Sequence, residues 1–156
     1  MEPVITDDPL NPQAAHICRG VLRLFADMNL AGVTEMTLAN GRRADIAAID
    51  ASGEITIVEV KSSVPDFRAD AKWPDYLPYC DRFYFAVGHG FPKDLIPEHV
   101  GLIVADGFGG AVLRASGRTP LAPARRKAVT LRFARLAANR LSFGAEPIAG
   151  DLLKEA

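Results

Sequence analysis

Apolar residues along this chain recur with two different periods, and the change from one to the other marks out its elements. From Asn11 to Ala31 the spacing is helical, with Ile17, Val21, Leu22, Leu24, Phe25 and Met28 turned to one side. Asn11 can cap that helix, Pro12 suits its first turn, and Gly32 reads as its stop. The period then falls to two. Val33–Ala39, Arg42–Asp50 and Glu54–Lys61 read as three strands, joined at Asn40-Gly41 and Ala51-Ser52-Gly53. Val64-Pro65 reads as a break in pairing and Asp66 as the cap of a short helix reaching Trp73. Beyond Pro74, Asp75–Tyr79 reads as an irregular helical turn. Arg82–Val87 and Gly101–Ala105 are continuous apolar runs, the mark of buried strands. Ala111–Arg114 should return antiparallel after the glycine-rich turn, and Ala122–Leu141 is the last helix, with Val129, Phe133 and Leu136 on one face. The expected class is α/β, a mixed sheet flanked by helices.

One hairpin carries most of the candidate chemistry. A three-residue loop ending in Gly53 lets glycine take the left-handed position. Asp50 then pairs with Glu54, Ile49 faces Ile55, Ala47 faces Ile57 and Asp45 faces Glu59. A slip of one residue would turn Asp45 to the other side of the sheet. Two carboxylates placed across from each other repel. A hard divalent cation held by oxygens offsets that repulsion, and the Val60 carbonyl offers a third oxygen. Lys61 follows on the face of Glu59, where an ammonium can orient a water or stabilise developing charge. The bland alternative is a solvated strand end.

The runs GRRADIAAI, VEVKSS, DFRADAKW and YCDRFYFAV carry a family likeness. Asp45 followed by Glu59-Val60-Lys61 resembles the PD-(D/E)XK nuclease signature. The longer pattern, from about Gln13 to Arg140, resembles the MmcB-type DNA-repair proteins, described as endonucleases. That resemblance implies a single domain over residues 1–156 with a restriction-endonuclease-like core of helix, three antiparallel strands, helix and a further strand. It implies Asp45, Glu59 and Lys61 as catalytic residues, with Mg²⁺ or Mn²⁺ on Asp45, Glu59 and the Val60 carbonyl. Ala44 stands where the signature has proline, and Asp27 is the sole acid on the first helix, where many members carry a glutamate. Glu35 falls on the first strand. Lys72 and Tyr76 have the spacing of a substrate-contacting pair in related repair nucleases, with Trp73 between them; packing of the two aromatics in the core is the competing reading. Members often dimerise to cut both strands, so a homodimer is among the expected assemblies.

Composition refines the partner. Net charge is −1, but Gly107–Ala145 holds no acid and eight cations, which leaves −9 on the rest. Arg125, Arg132 and Arg135 fall on one arc of the last helix. They read as an arginine stripe for a DNA backbone, against a plain solvated face. No run is long enough to span a bilayer, and the acidic, polar start MEPVITDDPL is unlike a secretion signal, so the expected location is cytoplasmic. Cys18 and Cys80 match no zinc spacing and read as buried thiols; His16, His89 and His99 read as surface or capping residues. The alternative function is a nuclease-like fold kept as a DNA-binding or partner-binding module. An RNA-processing nuclease would share the same site.

Overall fold

A computed structural model of the protein describes residues 11–144. The notional start and end of the domain, including the acidic N-terminal stretch, lie outside the described residues. Helix α1 (Pro12–Asp27) is followed by β1 (Ala31–Thr37), β2 (Arg43–Ile49) and β3 (Ile55–Lys61). Helix α2 (Val64–Ala69) and a 3₁₀ helix (Trp73–Tyr79) lead to β4 (Arg82–Val87). Then come β5 (Gly101–Ala105), β6 (Gly110–Arg114) and helix α3 (Pro123–Phe143). The strands form one six-stranded sheet in chain order. β1, β2 and β3 are antiparallel, β4 and β5 run parallel to β3, and β6 is antiparallel to β5.

Alternation along the strands feeds two apolar layers. On one face Ile17, Val21 and Phe25 of α1 pack on Ile46, Val58, Ala86 and Ile103. On the other, Val129 and Leu136 of α3 join Ile57, Phe83, Phe85 and Val87, with Phe67 and Trp73 packed alongside. Burying such side chains contributes about 1.5–3 kcal/mol each. Trp73 stacks on Phe83 with centroids 5.6 Å apart and meets Phe85 edge-on at 5.4 Å. No helix among the described residues is long and apolar enough to cross a membrane.

The hairpin register matches the sequence expectation. Ile49 pairs with Ile55 and Ala47 with Ile57; Asp50 N–H donates to the Glu54 carbonyl, and Gly53 sits at φ +91°. Three expectations change. The first helix ends at Asp27 rather than running to Ala31, because Asn29 takes the left-handed residue that ends it (φ +62°). Gly32 is instead inside β1, where Leu22 packs so close that a Cβ would meet it at 2.8 Å. Pairing does end before Val64-Pro65, but the short helix already starts there, so Asp66 falls inside its first turn and is not its cap. Ser63 caps it, accepting from Asp66 N–H at 3.2 Å, and proline fits the first turn because no donor is needed there. Finally, α2 stops at Ala69, so Lys72 and Tyr76 do not share an α-helix. Pro74 and Pro78 keep the second piece a 3₁₀ helix.

Candidate metal and phosphodiester site

The carboxylates meet where β2 and β3 part. Paired residues run from Ile49–Ile55 to Ile46–Val58 and stop there. One residue further, side chains take over the ladder. The Glu59 carboxylate accepts from Asp45 N–H at 3.0 Å, and the Asp45 carboxylate accepts from Val60 N–H at 2.8 Å. This reciprocal clasp sets each carboxylate against the other strand and satisfies main-chain donors that the parting strands would strand.

Glu59 is 5% exposed. Burial, reinforced by the charge of Asp45, pushes its carboxyl well above the ordinary range. Tyr76 lies against the same pair, donating its hydroxyl to the Arg43 carbonyl at 2.9 Å. Burial and the charges of Glu59 and Asp45 raise it too, so it stays a neutral donor. Cys18 of α1 is held up at about 11 by burial, Asp45 and Glu35. That places the first helix beside the carboxylates. Glu35, on β1 with φ +52°, lies 3.8 Å from Arg43.

Lys61 is buried, and its ammonium binds Asp70 at 2.8 Å, with Asp66 3.8 Å away. The other Asp70 oxygen accepts from Lys72 N–H at 2.9 Å. One carboxylate therefore ties the lysine to the backbone just past α2. Although burial opposes the charge, these partners and Glu59 keep the Lys61 ammonium above its ordinary value. Sequence reasoning gave Asp70 no role. The available signal was its position four residues after Asp66, in the segment following Lys61, which lets both acids reach back to the strand end.

Two carboxylates with fixed orientation and a main-chain carbonyl nearby suit a hard cation, since a carboxylate accepts at about four lone-pair sites. The donor set fits such an ion because the two carboxylates repel each other and Glu59 is buried. It holds no third side chain: among the described residues no group of three or more His, Cys, Asp and Glu is arranged to hold a metal.

The expected nucleic-acid contacts are placed differently from one another. Trp73 and Tyr76 are packed, Tyr76 at the edge of the carboxylate site; Lys72 is exposed. On α3, Arg125 donates to the Pro78 carbonyl and lies 4.4 Å over the Tyr79 ring, and Arg132 donates to the Thr37 carbonyl. Arg126 and Arg140 also face inward, onto Asp81 and onto the Thr34 and Glu35 carbonyls. Arg135 remains exposed. Arg125, Arg126, Arg132 and Arg140 thus clamp α3 to the rest of the fold, each long side chain reaching a carbonyl or an acid of another element or loop. Cys18 and Cys80 are both free thiols.

Comparison with known proteins agrees with the sequence pattern. A family model described as "DNA repair protein MmcB-like" matches residues 1–147. A solved structure of a protein of unknown function from Silicibacter pomeroyi superposes with a TM-score of 0.84 at 39% identity, covering 90% of this chain and 99% of that one. No curated protein matches.

Proposed function

The chain belongs to the MmcB-like family of DNA repair proteins, and from that premise we propose that it is a metal-dependent DNA endonuclease of the PD-(D/E)XK class. The element order α1-β1-β2-β3-α2-β4, with three antiparallel strands and a fourth parallel to the third, supports the restriction-endonuclease-like assignment. One observation carries the reading. Asp45 and Glu59 clasp each other's strand where the hairpin opens, and Lys61 is the next residue on the face of Glu59.

A Mg²⁺ or Mn²⁺ ion bound by Asp45, Glu59 and the Val60 carbonyl would polarise the scissile phosphate and lower the pKa of the attacking water. The chain's own groups do the positioning. Lys61 holds its proton and offers a charged donor to the water or to the phosphate oxygen gaining charge. Asp70 fixes that donor against α2, and the neutral Tyr76 hydroxyl braces β2 beside Asp45. Asp45→Ala and Lys61→Ala should abolish cleavage of nicked, branched or single-stranded DNA with the fold intact. Equal cleavage by wild type and both variants in Mn²⁺ would end the enzymatic reading.

A second reading has its own support. Lys61 already has two acidic partners, Asp70 and Asp66, which suits a module that binds DNA or a protein without cutting. Calorimetric titration with Mn²⁺ separates the two, because the module needs no affinity at Asp45 and Glu59.

A further inference from the structure

The row of paired residues that holds Lys61 continues across the sheet to a second concavity. Lys61 pairs with Val87, Val87 with Val104 and Val104 with Ala111. Val104 and Ala111 line a cavity of about 530 Å³ rimmed by His89, Lys93, Phe108 and Leu113. Val87 and Val104 belong to the apolar layer of Ile57, so alternation puts the cavity on the sheet face that carries Glu59 and Lys61. Three strand spacings of about 4.8 Å separate it from the lysine by about 14 Å.

Its rim joins a hydrogen-bonded turn, exposed apolar side chains and one ammonium. Asp106 N–H donates to the Gly109 carbonyl at 2.9 Å, and the Asp106 carboxylate accepts from Phe108 and Gly109 N–H at 2.8 and 3.2 Å. This closed turn displays the Phe108 ring, 86% exposed, beside Leu113, 52% exposed. The Lys93 ammonium is fixed at the rim by the His89 and Phe91 carbonyls, at 2.9 and 3.4 Å. The one acid there faces His89 at 3.3 Å with its second oxygen.

We propose that this cavity receives an unstacked base of the nucleic acid whose backbone lies at the carboxylates, with Phe108 as stacking platform and Lys93 against an adjoining phosphate. The substrate class rests on the nuclease reading above. Two features favour a nucleic acid as occupant. The cavity lies on the row of Lys61 and on the sheet face of Glu59, about 14 Å from the lysine. It also sets an exposed aromatic ring beside a fixed ammonium, the combination that single-strand binders use.

The test uses the full chain in EDTA and single-stranded oligonucleotides carrying 2-aminopurine at successive positions. Wild type should quench the emission at one position. Phe108→Ala should lose that quench and raise Kd about tenfold, while Phe108→Tyr restores both. Lys93→Ala should weaken binding and lower the slope of log K against log salt by about one. Unchanged quenching and Kd in Phe108→Ala overturn the proposal, as does loss in that variant of only a strand-adding peptide's affinity for β6. Cleavage in Mn²⁺ is read separately. Phe108-dependent quenching without cleavage leaves the subsite standing and removes the nuclease reading; cleavage without quenching does the reverse.

Discussion

Buried charge sits at both ends of β3, and the two ends are built on opposite principles. At the start, the Asp81 side chain is fully buried and every neighbour suits an anion. Ile55 N–H donates at 2.7 Å, Leu121 N–H at 2.8 Å, and Arg126 binds both oxygens at 2.6 and 2.8 Å. Despite burial, Arg126 and the two N–H groups pull the Asp81 carboxyl down to about 2. At the far end, Glu59 meets a second carboxylate, and the nearby ammonium is held by Asp70. Its carboxyl is raised, not lowered. A buried acid matched to a cation is a staple; a buried acid set against another acid is poised for a ligand.

The largest effect should come from breaking the matched end. Asp81→Ala leaves a half-exposed guanidinium and two main-chain donors, in the space of a fully buried carboxylate, without their acceptor. The expected cost is about 3–5 kcal/mol, read by urea unfolding, with little effect on metal affinity. The acid limb follows from the same site. A lowered folded pKa stabilises above the ordinary value of 3.8, and the gain is lost as pH falls through about 2. At about 1.4 kcal/mol per unit this amounts to about 2–3 kcal/mol, and Asp81→Asn should flatten the limb. A variant as stable as wild type would erase the contrast between the two ends.

Next in size is the tie on the lysine. Asp70→Asn keeps the bond to Lys72 N–H but weakens the hold on Lys61. A loss of about 10–100-fold in DNA cleavage is expected, as for partners that orient catalytic groups, together with a lower melting temperature, because the buried Lys61 ammonium loses an anionic partner. Faster cleavage would instead mark Asp70 as a restraint that keeps Lys61 from its work.

Glu59→Gln should do the opposite of Asp81→Ala. It preserves an acceptor for Asp45 N–H and removes the repulsion, so stability rises by up to about 1 kcal/mol while Mn²⁺ affinity disappears. The sign with pH is also reversed. Because the folded pKa lies above 4.5, the native state holds the extra proton over that interval, and stability falls as pH rises through it. Asp45 and Glu59 titrate as a pair. Melting curves from pH 5 to 8 should slope downward in wild type, flatten in Glu59→Gln, and recover when Mn²⁺ is added to wild type alone.

These two ends were unequally legible. The hairpin register from Ile49–Ile55 to Ile46–Val58, which ends one residue short of Asp45 and Glu59, followed from period two and a glycine-ended loop, both local properties of one hairpin. The strands Arg82–Val87 and Gly101–Ala105 were legible to the residue because buried strands are continuous apolar runs. The Asp81–Arg126 staple was not, since its partners are far apart in sequence and nothing local marks them. Asp70 was missed because a short helix interrupted by prolines gave no reliable face. The partners of the arginine-rich stretch were illegible for a related reason: charge counted along the chain says nothing about the carbonyls and acids that the fold brings near, and Arg125, Arg126, Arg132 and Arg140 each found one.

The smallest predictions separate clamps from contacts on α3. Arg132 reaches the Thr37 carbonyl across the sheet edge, whereas Arg135 is exposed. Arg132→Ala should therefore cost about 0.5–1.5 kcal/mol, and Arg135→Ala should stay within about 0.5 kcal/mol. DNA affinity sorts them the other way. If the outer face of α3 touches the phosphate backbone, Arg135→Ala weakens binding evenly across sequences and lowers the salt slope by about one, while Arg132→Ala leaves the slope alone. If neither changes it, the backbone runs past the other end of the sheet, where exposed Arg68 and Lys72 flank the segment that carries Asp70. Among the described residues neither cation forms a salt bridge.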